Sequence, residues 1–127
     1  MEFSLSARAV NRESLVCVTG ELDVATASPL WDCLAETLRA GSNRLFLDVA
    51  RVTFMDCAAL NVLLRARHAS VVRGGDLCLI AVPRSVRMLL ELTGTQWLAG
   101  APRTSAPSTN EPGAGNPAPQ RLAAEAS

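Results

Sequence analysis

Hydrophobic positions along this chain switch repeatedly between a period of two and a period near 3.6. From Phe3 to Val10 apolar side chains (Phe3, Leu5, Ala7, Ala9) alternate with Ser4, Ser6 and Arg8, the pattern of a half-exposed strand. The polar stretch Asn11-Arg12-Glu13-Ser14 reads as a turn. Leu15-Val16-Cys17-Val18-Thr19, rich in β-branched residues, reads as a second, more buried strand, so the two form an N-terminal hairpin closed by Gly20-Glu21-Leu22-Asp23. The period then lengthens. Leu30, Leu34 and Leu38, with Trp31 and Cys33 beside them, predict a helix from about Thr26 to Arg39. Pro29 fits such a helix only in its first turn, where a missing N–H is no loss, and Ala40-Gly41 ends it.

The stretch from Leu45 to Leu64 organises the rest. It begins as a buried strand, Arg44 to Val49, turns through Ala50-Arg51, and becomes a helix from Asp56 to about Val72, with Leu60, Leu63 and Leu64 on one face. Arg65, Arg67 and Arg73 mark the wet side, and Gly74-Gly75 breaks the helix. Asp76 to Val82 is apolar on both faces, as expected of a central strand in a covered sheet. Pro83 opens a third helix, Arg84 to about Leu92, with Val86, Leu89 and Leu90 inward, and Gly94 ends it. Gln96-Trp97-Leu98-Ala99 reads as a last short strand. The expected fold class is therefore α/β, in the order β-β-α-β-α-β-α-β, with a mixed sheet of four to five strands and helices packed on it. The chain has no internal repeats.

Composition refines this picture. At 127 residues and 49% hydrophobic, the chain can bury a real core, and a single domain over residues 1–101 is expected. Residues 102–127 are different: Pro102, Pro107, Pro112, Pro117 and Pro119 lie there without large apolar neighbours until Leu122, so a proline-rich disordered tail is expected. Gln120 to Ala126 is too short for a stable helix of its own. The formal net charge is zero, which argues against a basic nucleic-acid surface, and every basic residue is Arg. No apolar run reaches the roughly 18 residues that span a bilayer. Met1-Glu2-Phe3-Ser4 lacks the basic-then-apolar signature of a signal peptide, so a cytoplasmic protein without membrane contact is expected. Cys17, Cys33, Cys57 and Cys78 contain no C-x-x-C pair, which points to free thiols rather than a metal site.

Candidate chemistry concentrates at Asp56-Cys57. Asp56 is a good N-cap residue, and Cys57 falls on the first turn of the second helix, where backbone donors and the helix dipole favour a negative group. Paired carboxylates, a glycine-rich phosphate loop and a Ser–His–Asp set are all missing from the sequence, so no enzyme activity, metal or cofactor is expected. His68 reads as a surface residue, and Trp31 and Trp97 as boundary packing. Ser70, Ser85 and Thr53 carry hydroxyls, but none lies at the start of the second helix; Thr53 alone is near enough to Asp56 to be worth checking as a substitute acceptor of phosphate.

Three pieces together resemble the bacterial STAS family of anti-sigma-factor antagonists. They are Gly20-Glu21-Leu22-Asp23 after the second strand; Leu47-Asp48-Val49 with Val52-Thr53-Phe54-Met55-Asp56 and Cys57-Ala58-Ala59-Leu60; and Gly74-Gly75, Pro83, Val86, Leu89-Leu90, Thr93-Gly94. The resemblance is collinear from about Phe3 to Ala99. It implies a STAS fold and a protein that binds an anti-sigma factor of the histidine-kinase-like ATPase class, freeing the sigma factor for transcription. A weak homodimer is compatible with it. The family's phosphoacceptor is a Ser or Thr directly after the Asp; here that position is Cys57, followed by Ala58, so the usual charge switch is missing. The resemblance implies a partner-binding surface of Glu21, Asp23, Asp56, Cys57, Ala58, Ala59 and Asn61. Cys57 is either a regulatory thiol or a near-isosteric stand-in for Ser, and Asp23 and Asp56 either touch the partner or simply cap helices. The alternative role is a STAS scaffold or sensor domain, redox- or ligand-responsive, within a larger regulatory assembly.

Overall fold

The computed structural model describes residues 2–100. The expected tail, 102–127, lies outside the described residues. Strands β1 (Ser4–Val10) and β2 (Glu13–Leu22) form an antiparallel hairpin. Helix α1 (Val24–Arg39) leads to β3 (Arg44–Met55), α2 (Cys57–Val72) to β4 (Asp76–Ile80), and α3 (Arg84–Leu92) to a short 3-10 turn at Gln96–Ala99. The sheet runs in the order β1-β2-β3-β4, with β2, β3 and β4 parallel. It is a mixed α/β sheet, as the alternation of periods predicts.

One face of the sheet carries the core. Val16, Val18 and Leu22 of β2, Leu45 and Leu47 of β3, and Leu77 and Leu79 of β4 are buried against Leu30 and Leu34 of α1 and Leu60 and Leu63 of α2. Val86, Leu90 and Leu98 join the same cluster. The intervening residues, Leu15, Cys17, Phe46, Cys78 and Ile80, are half-buried or exposed, so the opposite face stays partly open. A buried Ser14–Ser42 hydroxyl pair, 2.6 Å apart, satisfies two polar groups at the amino end of β2.

Five expectations are corrected. The turn at Ala50-Arg51 is a bulge inside one long strand: Cys17 pairs with Asp48 but Thr19 with Arg51, and Gly20 pairs with Val52 but Glu21 with Phe54. Each irregularity inserts one extra residue into β3, so its buried positions step from Leu45, Leu47 and Val49 to Val52 and Met55. A period-two reading therefore stops at Val49. The same pairing carries β2 through Gly20-Glu21-Leu22, which the hairpin reading left outside the strand. Third, Pro29 lies well inside α1, which starts at Val24 rather than Thr26, so the helix forgoes the N–H that would meet the Ala25 carbonyl. Fourth, β4 is an edge strand, not a central one; Cys78 and Ile80 face the open side of the sheet. Fifth, Gln96–Ala99 is a 3-10 turn rather than a strand. The chain reverses at Gly94 (φ 71°), where the Thr95 N–H reaches the Leu90 carbonyl at 2.8 Å, and then plugs Leu98 into the core.

Candidate functional site

Because β2 and β3 are parallel neighbours, their carboxyl ends finish side by side, each feeding a helix through one aspartate. This is the end of a parallel sheet at which helix N-termini converge. Asp23 caps α1: its Oδ1 accepts from the N–H groups of Ala25 (2.9 Å) and Thr26 (3.2 Å). Thr26 completes a reciprocal box, its hydroxyl accepting from the Asp23 N–H at 2.9 Å and standing 2.9 Å from the Glu21 carbonyl, to which it can donate. Asp56 caps α2 in the same way, its Oδ1 accepting from Ala58 (2.9 Å) and Ala59 (3.2 Å). The two tips are tied together, since the Asp56 N–H donates to the Leu22 carbonyl at 3.0 Å. Backbone hydrogen bonds and two caps thus hold Glu21, Asp23, Asp56 and Cys57 on one crest.

The crest is acidic and partly apolar. Glu21 and Cys57 are exposed, Asp23, Asp56 and Ala58 half-buried, and Asn61 exposed on the next turn of α2. Ala59 is the correction among the expected contact residues: it is fully buried, in the core stripe it shares with Leu63 and Ala66, so its side chain cannot reach a partner. Two neighbours escaped the sequence reading. Val24 is 78% exposed at the first position of α1, and Phe54, which pairs with Glu21 across β3, is 48% exposed. Phe54 owes its exposure to the late bulge in β3, which no periodicity displays.

The hydroxyls divide. Ser70 is buried, its Oγ donating to the Ala66 carbonyl at 2.8 Å. Thr53 is exposed and is the extra residue of the second bulge. Ser85, away from the α2 start as expected, is the second residue of α3 and exposed. His68 is exposed on α2. The tryptophans line the helix layer's rim, Arg65 stacking over Trp31 at 4.2 Å and Arg67 over Trp97 at 4.6 Å. Among cysteines, Cys57 is exposed and Cys17, Cys33 and Cys78 are half-buried. Burial pushes the Cys33 thiol up from its ordinary range, partly offset by a hydrogen bond with Thr37. Among the described residues no group of three His, Cys, Asp or Glu side chains is placed to hold a metal ion, and no helix is long and apolar enough to cross a membrane.

Comparison with known proteins agrees with this geometry. A family model described as "Mlab, STAS domain" matches residues 5–98. Among solved structures, the anti-sigma factor antagonist SpoIIAA in its unphosphorylated form is similar with a TM-score of 0.66 at 17% identity, over 75% of this chain and 83% of that one. The phosphorylated form of SpoIIAA, a Bacillus cell fate determinant, gives 0.60 at 16% identity, over 74% and 85%. A putative anti-sigma factor antagonist from Thermotoga maritima gives 0.67 at 19%, over 85% and 86%. At these identities the neighbours speak for the fold, and the matched family model speaks for kinship: the chain belongs to the STAS-domain family.

Proposed function

We propose that this chain is a cytoplasmic anti-sigma-factor antagonist. It binds an anti-sigma factor of the histidine-kinase-like ATPase class through the crest at Glu21, Asp23, Asp56, Cys57, Ala58 and Asn61, with Val24 and Phe54 beside them, and so releases a sigma factor. The observation that carries this reading is the pair of aspartate-capped helix N-termini at the adjacent ends of β2 and β3, with an exposed side chain, Cys57, on the first turn of α2. In this reading Cys57 takes the place of the phosphoacceptor hydroxyl. A thiol is not a substrate for a Ser/Thr kinase, so binding is not switched off by phosphate at this position. Co-purification of the tagged protein with the kinase-like ATPases of its source organism tests the partner; recovery of none of them would refute it. Intact mass after incubation with ATP and a captured ATPase tests the switch, and an added phosphate on the crest would refute its loss.

A second reading, a STAS scaffold within a larger regulatory assembly, is favoured by the same substitution, since a permanently unswitched crest suits a stable complex. Capture in a complex with other proteins but without a kinase-like ATPase or a sigma factor would select it.

A further inference from the structure

The free edge of β1 carries an interaction that the crest does not explain. Among the described residues no strand lies beyond β1, and nearly all of it is exposed, Leu5 alone being half-buried. Proteins blunt such edges with Pro, charged side chains, bulges or very short strands. The sequence Ser4-Leu5-Ser6-Ala7-Arg8-Ala9-Val10 has no Pro and a single charge, Arg8, and its pairing with β2 is unbroken from Ser4 to Val10. The opposite edge, β4, is shorter, at five residues.

The hairpin fixes which groups of β1 are free. Val10 and Glu13 pair across the two-residue turn Asn11-Arg12. Residues so close to a turn can pair only by exchanging both backbone hydrogen bonds. Parity then directs the N–H and C=O groups of Val10, Arg8, Ser6 and Ser4 toward β2, and those of Ala9, Ala7 and Leu5 outward.

We propose that this edge is a dimer seam: two copies of the chain pair β1 with β1, antiparallel, about a two-fold axis at Ala7. In that register Ala7 meets Ala7 and Leu5 meets Ala9, so every outward N–H and C=O of the three residues finds a partner. On the open face of the sheet Ser6 lies opposite Arg8 and Ser4 opposite Val10, and no like charges meet. The neighbouring registers are worse. A slip of two residues one way sets Arg8 against Arg8; a slip the other way sets Ala9 against Phe3, beyond the end of β1. No helix obstructs the approach, because Ala7 and Ala9 point to the helix side of the sheet and are nevertheless exposed. The axis reverses strand direction, so the two crests face opposite ends of the widened sheet. If the proposed function holds, each copy then engages its own partner; the seam itself does not depend on that reading.

Sedimentation velocity of the full chain over a concentration series tests the seam. Self-association with a Kd of roughly 10 µM to 1 mM is expected. Ala7→Pro removes an outward N–H and spares the bonds to β2, so it should raise Kd at least about tenfold while far-UV circular dichroism is unchanged. Ser6→Arg, which sets guanidinium against guanidinium, should weaken the dimer most at low salt, and Ser6→Glu should tighten it by facing Arg8 of the second copy. A wild-type chain that stays monomeric up to about 1 mM overturns the proposal. So does a dimer that Ser6→Arg and Ser6→Glu leave equally strong, since the contact would then lie on another surface.

Discussion

At the scale of single residues, Asp56 does two jobs, one with its carboxylate and one with its backbone. Its Oδ1 holds the first free N–H groups of α2, and its backbone N–H ties that helix to the end of β2. Asp56→Ala should therefore cost about 1 kcal/mol of stability through the lost cap, read as a lower urea midpoint at unchanged slope. The thiols make a second prediction. Cys57 is exposed, whereas Cys33 is half-buried with its ionisation pushed up. A maleimide reagent should label Cys57 first and Cys33 slowly, with peptide mapping after short exposure as the check. The raised Cys33 ionisation also sets a sign. The unfolded thiol loses its proton at lower pH than the folded one, so the stabilisation is complete below the ordinary value of 9.0 and fades as pH rises through the folded value. Cys33→Ala should flatten that alkaline limb in urea titrations. Asp56 was legible as a cap from its place before an apolar helical run. The exposure of Phe54 was not, because it depends on the bulge that shifts β3 just before it.

At the scale of elements, the two strongest local rules give opposite outcomes. Pro29 sits inside α1 although the rule confines proline to the first turn. The helix survives because Leu30, Leu34 and Leu38 are buried along the whole element, and burial outweighs one missing hydrogen bond. Pro29→Ala should restore the bond to the Ala25 carbonyl and stabilise the protein by about 1 to 2 kcal/mol, seen as a higher urea midpoint. Gly75 obeys its rule for a reason outside its own loop. A Cβ there would come 1.7 Å from the Asn43 carbonyl oxygen, where the start of β3 runs beside the start of β4. That neighbour is backbone and cannot step aside, so Gly75→Ala should destabilise by at least about 3 kcal/mol in the same assay. Helix positions and most strand positions were readable because each rests on a local period. The length of β3 and the edge position of β4 were not, since a bulge erases the period and an apolar run looks alike at the centre and at the rim of a sheet.

At the scale of the whole molecule, β3 joins everything: it pairs with β2 and β4, and it hands the chain to α2 at the crest. Leu47 is completely buried in it. Leu47→Ala should cost about 2 to 5 kcal/mol, and circular dichroism and tryptophan fluorescence should report a single shared unfolding transition, because one core serves the domain. The sequence by itself determined the alternation of strands and helices and the caps at their ends, since each follows from short-range spacing and stereochemistry; its collinear motifs carried the resemblance to the family. Tertiary structure alone decided the rest: which strand lies at the rim, that Phe54 turns outward past the bulge, and that two aspartates distant in the chain share one crest. Those facts depend on pairing register between strands far apart in sequence, and a register is a relation between segments that neither segment carries alone.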